Sequence, residues 1–418
     1  MFRKEMTMFV LFNEGEQLLP IKVWLPSAAH LDEDCLRQAK NLANLPFAFR
    51  HIALMPDTHS GYGMPIGGVM ASSEAIVPNA VGVDIGCGMG FVHTNVPARL
   101  CREVKTPQGT LAHTLVGQIM RDVPQGFEHH SRPQKSEFLD RCSLRQLYHY
   151  GRDKLPTIEE AYVQLGTLGG GNHFIELQED EDGSLGIMVH TGSRNFGYKV
   201  ANYFNNLAKE LNRKMGSKIP PSFDLAYLPL DTKEARGYIG WMNFALEFAR
   251  HNRQQIMDRV KEIVFSGLER YAGWKDIQIL QEVNAHHNYA ARERHFGEEV
   301  WVHRKGAIRA GQGELGIIPG AMGSYSYIVE GLGNPESFHS ASHGAGRVMG
   351  RKEAMRQFAV EEVLADFEAK EVVLGKKRKR DTAEEYFKAY KNIEDVMADQ
   401  ADLVKPRLKV RTVAVVKG

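Results

Sequence analysis

Forty of the 418 residues are glycine, and they gather in short runs instead of spreading along the chain. MPDTHSGYGMPIGG (55–68), VGVDIGCGMG (81–90), LGGGNHFIEL (168–177), PGAMGSYSYIVEG (319–331) and SHGAGRVMGR (342–351) are the densest. Glycine weakens a helix interior and is the residue of sharp turns and close backbone approach. Punctuation of this kind between short apolar segments suggests a sheet with tight turns.

The intervening segments agree. HIALM, IGGVMA, EAIVP and GFVHT read as strands, preceded by a helix over about 32–44, and 110–123 reads as helical. HFIELQEDEDGSLGIMVHTG predicts a hairpin turning at Asp182-Gly183. Helices are expected at about 195–215 and 232–267, the second from apolar Ile239, Met242, Ala245 and Phe248 at helical spacing. DIQILQEV, EVWVHRKG, ELGIIPG, SYIVEG and the terminal LKVRTVAVVKG return to strand, with helices at 351–370 and 393–404. Helices and strands mix without a βαβ rhythm, so the expected class is α+β (mixed α/β) and not a doubly wound sheet. No boundary or repeat divides the chain, so residues 1–418 are expected to form one catalytic domain. The polar stretch at about 128–156 would be an excursion over its surface.

Hydrophobic residues make up 43% and charged residues 25%, with a net charge of +1. Bulk charge therefore announces no polyanionic partner, although a local basic channel is compatible with it. KKRKR (376–380) reads first as a solvated surface run that could help hold a polyanion. No apolar run approaches the roughly 20 residues of a membrane span, and MFRKEMTMFVLFNEGEQLLP lacks a signal-peptide core. A cytoplasmic protein with no membrane partner is expected. The four cysteines, Cys35, Cys87, Cys101 and Cys142, form no CxxC pair and are expected to be reduced thiols.

Cys87 stands apart, since glycines surround it and Asp84 lies three residues before it. Several of the 17 histidines share that setting: His173, His190, His286, His287 and His343. Taken singly, each could be an ordinary core or surface histidine. Together with Asp84 and Cys87 they supply the carboxylate, thiolate and imidazole donors that bind divalent transition metals. Such dispersed donors do not make a zinc finger; they fit a catalytic site built on strand ends. A glycine turn with a capping aspartate and a buried cysteine would leave the same local pattern without a metal. In SHGAGRVMGR an accessible His343 is followed at four and eight residues by Arg347 and Arg351. A helix starting there would set all three on one face, an arrangement suited to phosphate chemistry with a histidine nucleophile. A helix start with a solvated basic face is the alternative. Asp57 and His59 share a glycine turn. The 319–331 loop suits backbone N–H contacts with an anion, and neither a P-loop nor a Rossmann fingerprint is present.

These motifs, with HTGSRNFG, NAHHNY, AYKNIEDV and the terminal VVKG, resemble in order those of the RtcB-type RNA-splicing ligases across nearly the whole chain. The resemblance implies that family's fold, sheets with surrounding helices about a central dinuclear site. It implies GTP and two Mn²⁺ ions. The metal ligands would be Asp84, Cys87, His173, His190 and His287, with Cys87 shared by both ions. His287 is preferred to His286 because the family's histidine directly precedes an asparagine, here Asn288. His343 would be the nucleophile that takes GMP, supported by Asp57. Glu176, Ser326, Tyr390 and Lys417 would hold guanine and ribose. Asn172, Asn288 and Arg347 would surround the phosphates, and Arg194 and Arg351 would line the RNA or phosphate path. The implied activity seals RNA 3′-phosphate or 2′,3′-cyclic phosphate ends to 5′-hydroxyl ends in splicing or repair, and an activating protein partner is left open. Ala321 departs from the family's usual serine and removes one hydroxyl from the phosphate loop. A phosphohydrolase using the same metal set, or a non-catalytic RNA-binding relative, are the competing classes.

Overall fold

The computed structural model of the chain describes residues 8–142, 147–151 and 154–418. Residues 1–7, part of the segment in which no leader was read, and 143–146 and 152–153 of the polar excursion lie outside the described residues.

Two sheets carry the fold. The larger has eight described strands, seven in the order Ile279–His286, Gly88–Pro97, Ser184–Thr191, Phe174–Asp180, Val404–Lys417, Tyr325–Gly331 and Leu315–Ile318, and an eighth, Val373–Lys376, pairing alongside Val404–Lys417. The other has six, in the order Met8–Leu11, Ile21–Trp24, Ala48–Tyr62, Met64–Ser72, Glu298–Lys305 and Asn288–His295. Pairing in both is antiparallel except Ile21–Trp24 with Ala48–Tyr62 and Val373–Lys376 with Val404–Lys417. The mixture of helices and sheets is the α+β class expected. The 174–191 hairpin forms as predicted, with Gly183 at its turn.

The 35-residue helix Lys233–Gly267, started by the Thr232 side chain accepting from the Ala235 N–H, crosses the larger sheet. Its Ile256, Met257, Val260, Ile263 and Val264 pack on Val92, Val96, Ile187 and Val189. Leu139 and Leu155, within the polar stretch, are buried in a second core with Phe196, Trp241 and Phe248. Among the described residues no helix is long and apolar enough to cross a membrane. Cys35, Cys87, Cys101 and Cys142 are all free thiols.

Three local expectations are corrected. EAIVP is a two-residue strand, Ala75–Ile76, running into the short helix Pro78–Val81, because Pro78 suits a first helical position and lacks the N–H a longer ladder needs. The 351–370 helix is two, Arg351–Gln357 and Val360–Ala369. The 393–404 helix stops at Asp399.

One register feature positions the site. Gly88 pairs with Thr191 on one side and His286 on the other, and a Cβ at Gly88 would collide with the Ala285 carbonyl. Lys417 pairs with Phe174. Cys87, His173, His190, His287 and Lys417 therefore all fall at one end of the larger sheet. His287 is also the residue at which the chain leaves that sheet for the smaller one.

Candidate active site

At that end lies a cavity of about 450 Å³. Its wall includes Asp84, Cys87, Asn172, Glu176, His190, His287, Asn288, His343, Arg347, Arg351, Tyr390 and Lys417. Asp84 and Lys417, 333 positions apart in sequence, thus share one wall.

The donor cluster is compact. Cys87 Sγ lies 3.2 Å from His190 Nε2 and 3.4 Å from His173 Nε2, and Asp84 Oδ2 is 3.2 Å from the latter. The ligand atoms of Cys87, His173 and His190 all sit within 4.8 Å of one another. Each ring is oriented from behind. His173 Nδ1 donates to the Leu168 carbonyl at 3.0 Å and His190 Nδ1 to the Asn172 carbonyl at 3.1 Å. A proton held at Nδ1 leaves the Nε2 lone pair facing the sulfur, the tautomer a metal-binding histidine needs. His287 packs against both His190 and His343, with ring centroids 5.2 and 4.8 Å away, and its buried Nδ1 has no hydrogen-bond partner among the described residues. Burial, the largest cause, and then the neighbouring histidines hold His190 and His287 well below the usual imidazole range. Burial and then Asp84 push the Cys87 thiol well up. At Asp84 burial acts upward, but the His173 contact prevails and the carboxyl is lowered. Imidazoles held neutral at His190 and His287, an ionised Asp84 carboxylate and a thiol that would surrender its proton only to a cation are, with His173, a donor set that fits a divalent transition metal.

Of the adjacent pair His286–His287, His287 reaches the cavity. His286 is turned to Arg253, whose Nη2 donates to its Nδ1 at 2.9 Å.

His343 follows the strand Ser340–Ser342 and begins no helix; the next starts at Arg351. Gly346 explains the correction. Its φ is +75°, and a Cβ there would collide with the Asp57 carbonyl. His343, Arg347 and Arg351 therefore do not share a helical face. They meet through the tertiary fold. Asp57, fully buried, accepts from His343 twice through Oδ2, from Nδ1 at 2.6 Å and from the backbone N–H at 3.0 Å. Lys391 of AYKNIEDV bonds the Pro56 and Thr58 carbonyls at 2.8 Å and so holds the strand bearing Asp57.

Several expected contact residues are engaged differently. The Asn288 side chain accepts from the Gly306 N–H at 2.7 Å and donates to the Asp84 carbonyl at 3.1 Å, bracing the two loops that flank it. Ser326 is not on the cavity wall; its Oγ accepts from the Gly320 N–H at 3.2 Å and shapes the 319–322 loop, in which Ala321 does line the cavity. Arg194 is off the wall too. It donates to Thr167 Oγ1 at 3.0 Å and to the Gly126 carbonyl at 2.7 Å. Glu176 accepts from Gln178 and Thr412, and burial pushes its carboxyl up to about 7.

Three residues escaped the sequence reading. Glu385 lies on the wall and accepts from Arg347 Nη1 at 3.2 Å, Arg351 Nε at 3.0 Å, Lys417 Nζ at 3.4 Å and the Tyr390 hydroxyl. Burial opposes its ionisation, but the three cations hold it down at about 2. One carboxylate thus organises three cations and leaves a positive surplus for an anion. Lys305, also on the wall, donates to the Tyr62 and Asn79 carbonyls at 2.5 and 3.1 Å, and burial lowers its amine to about 7. Arg253 lies beneath the cluster, where its guanidinium reaches Gly86 O at 2.8 Å, Thr191 O at 3.0 Å, Asn284 Oδ1 at 2.8 Å and His286. Gly86, Thr191 and His286 each adjoin a candidate ligand. Local sequence carries no signal for them, because each draws its role chiefly from partners tens to hundreds of residues away.

Comparisons with known proteins point to one family. The family model described as "RtcB: tRNA-splicing ligase RtcB" matches residues 38–418. An RNA-splicing ligase RtcB of Escherichia coli is 39% identical over 408 residues, covering 96% of this chain and 97% of the relative. The tRNA-splicing ligase RtcB of Pyrobaculum aerophilum is 32% identical, with 96% and 95% covered, and that of Thermococcus kodakarensis 31%, with 92% and 91% covered.

Proposed function

The chain belongs to the RtcB family of RNA-splicing ligases, and from that premise we propose that it joins RNA 3′-phosphate or 2′,3′-cyclic phosphate ends to 5′-hydroxyl ends at the expense of GTP. The observation that carries this reading is the Asp57–His343 pair opening on the same cavity as the Cys87, His173 and His190 cluster.

Asp57 accepts the His343 Nδ1 proton, so the Nε2 lone pair is the nucleophile. Nε2 attacks the α-phosphorus of GTP; a P–N bond forms and the bond to pyrophosphate breaks. An oxygen of the RNA 3′-phosphate then attacks the same phosphorus, breaking the P–N bond and leaving an RNA(3′)pp(5′)G end. The 5′-hydroxyl attacks the phosphorus of the original 3′-phosphate, loses its proton, and expels GMP. Guanylylation matters because it converts a poor leaving group into GMP.

Asp84, Cys87, His173, His190 and His287 would hold two Mn²⁺ ions. Bound there, the ions would supply neutralising charge at the α-phosphate. Arg347, Arg351 and Lys417, ordered around Glu385, orient the phosphates with Asn172 and Asn288. Glu176 accepts from the guanine edge, Tyr390 packs on the base, and Ser326 sets the loop beneath. Arg194 and Arg351 lie toward the RNA. The test is incubation with α-labelled GTP and Mn²⁺, then mass analysis of the peptide containing His343. A GMP adduct on that residue is expected. Phosphate release with no adduct would instead establish a phosphohydrolase.

A further inference from the structure

Two features stand outside the reaction just described, the KKRKR run and one fully exposed phenylalanine, and the fold puts them together. Phe127 is 105% exposed. It sits at the tip of a turn closed by the Glu128 N–H donating to the Gln125 carbonyl at 3.1 Å. That turn is anchored to the site. The Gly126 N–H donates to the Gly169 carbonyl at 2.8 Å, the Leu168 N–H to the Pro124 carbonyl at 2.9 Å, and Arg194 to the Gly126 carbonyl. Gly169 to Gly171 leads directly into Asn172 on the cavity wall, and Arg351 packs beside Gly171.

The basic run arrives from the other side. Lys376 pairs in register with Lys417, which lines the cavity. Its amine is anchored on the Asp381 carbonyl at 2.9 Å. Lys377 then reaches Glu128, the neighbour of Phe127, with both carboxylate oxygens at 2.6 Å, and Arg378 is exposed. Single exposed apolar residues are ordinary on protein surfaces. A fully exposed aromatic on a backbone-anchored turn, adjoined by the Lys377–Glu128 ion pair and exposed Arg378 and continuous with the cavity wall, offers the stacking face and basic groups that bind single-stranded nucleic acid.

We propose that the Gln125–Glu128 turn and residues 377–378 form a platform for the single-stranded RNA segment next to the reacting end, one base stacking on Phe127 and nearby phosphates facing Lys377 and Arg378. This rests on the ligase reading, and the two fail separately. Phe127→Ala, Phe127→Trp and the double variant Lys377→Ser, Arg378→Ser are compared with the parent chain. Covalent GMP uptake is measured without RNA, and affinity for a short fluorescent single-stranded RNA bearing a 3′-phosphate is measured across a salt series. Phe127→Ala is expected to weaken RNA binding by about tenfold and Phe127→Trp to retain it. The double variant is expected to lower the dependence of log affinity on log salt by about one unit. GMP uptake should be unchanged in all three, which also shows that they fold. Normal GMP uptake with parental RNA affinity and salt slope would overturn the platform, as would parental RNA binding accompanied by altered self-association, which would make the turn a protein contact. If the parent chain itself takes no GMP, the ligase reading fails, and the platform is still decided by the RNA affinities alone.

Discussion

His343 and Glu176 are two side chains whose chemistry is set by where the fold holds them. His343 is held by Asp57 at Nδ1, so removing the imidazole removes the nucleophile and little else. His343→Ala should leave Mn²⁺ binding intact, abolish the GMP adduct and abolish sealing of 3′-phosphate ends. It should still seal a synthetic RNA(3′)pp(5′)G end, because that step follows the histidine's work; failure there by a folded, metal-loaded variant would refute the assignment. Glu176 makes a pH prediction. Burial raises its carboxyl from 4.5 to about 7, and only the carboxylate can accept two guanine N–H bonds. GTP affinity should therefore rise with pH through about 7 and level off above it, and Glu176→Gln should bind weakly at every pH. The sign for the ligand-free fold is opposite. Between 4.5 and about 7 the folded state binds the extra proton, so this group's contribution to stability is full below 4.5 and is lost as pH rises through about 7. Glu176→Gln should remove that part of the slope in urea unfolding measured across this range.

At the scale of elements, the long helix Lys233–Gly267 does more than cover the sheet. Two consecutive buried residues, Asn252 and Arg253, reach from it into the segments that carry the donors. Asn252 accepts from the Gly166 and Thr167 N–H groups at 2.8 and 3.2 Å and donates to the Gly192 carbonyl at 3.1 Å. Arg253 holds the neighbours of Cys87, His190 and His287. Outer partners of this kind set the geometry of metal ligands. Arg253→Met, similar in length and apolar, should weaken Mn²⁺ binding by about 10- to 100-fold. Calorimetric titration checks this, with circular dichroism to show that the helix persists. Arg253→Lys should recover only part of the loss, because an ammonium cannot reach four acceptors in the guanidinium plane. Unchanged affinity in a folded Met variant would reduce Arg253 to a packing residue.

For the whole molecule, the last strand is the clearest test of how distant segments complete one site. Val404–Lys417 runs through the middle of the larger sheet and ends with Lys417 on the cavity wall beside Glu385. Deleting Lys417 and Gly418 should cut GMP uptake by at least about 100-fold. The rest of the strand should keep its place, so the melting temperature should move by only a few degrees, roughly the response to about 1 kcal/mol in a chain of this size. A full-length Lys417→Met variant should reproduce the defect; normal GMP uptake by both would exclude the lysine from the nucleotide pocket.

The amino acids by themselves determined much of this protein. Local periodicity and glycine punctuation placed the long helix, the 174–191 hairpin and most strands, because those depend on neighbours a few residues apart. Ordered motifs carrying unusual donors pointed to Asp84, Cys87, His173, His190, His287 and His343. Tertiary structure alone decided what those motifs meet. It turned His287 inward and His286 toward Arg253, kept the 343–350 segment from becoming a helix through the contact of Gly346 with Asp57, and placed Glu385 among three cations. It also brought Phe127 to within one ion pair of Lys377. The physical reason is the antiparallel register. Which residue faces which across strands hundreds of positions apart depends on how whole sheets pair and pack, and no window of neighbouring residues contains that information.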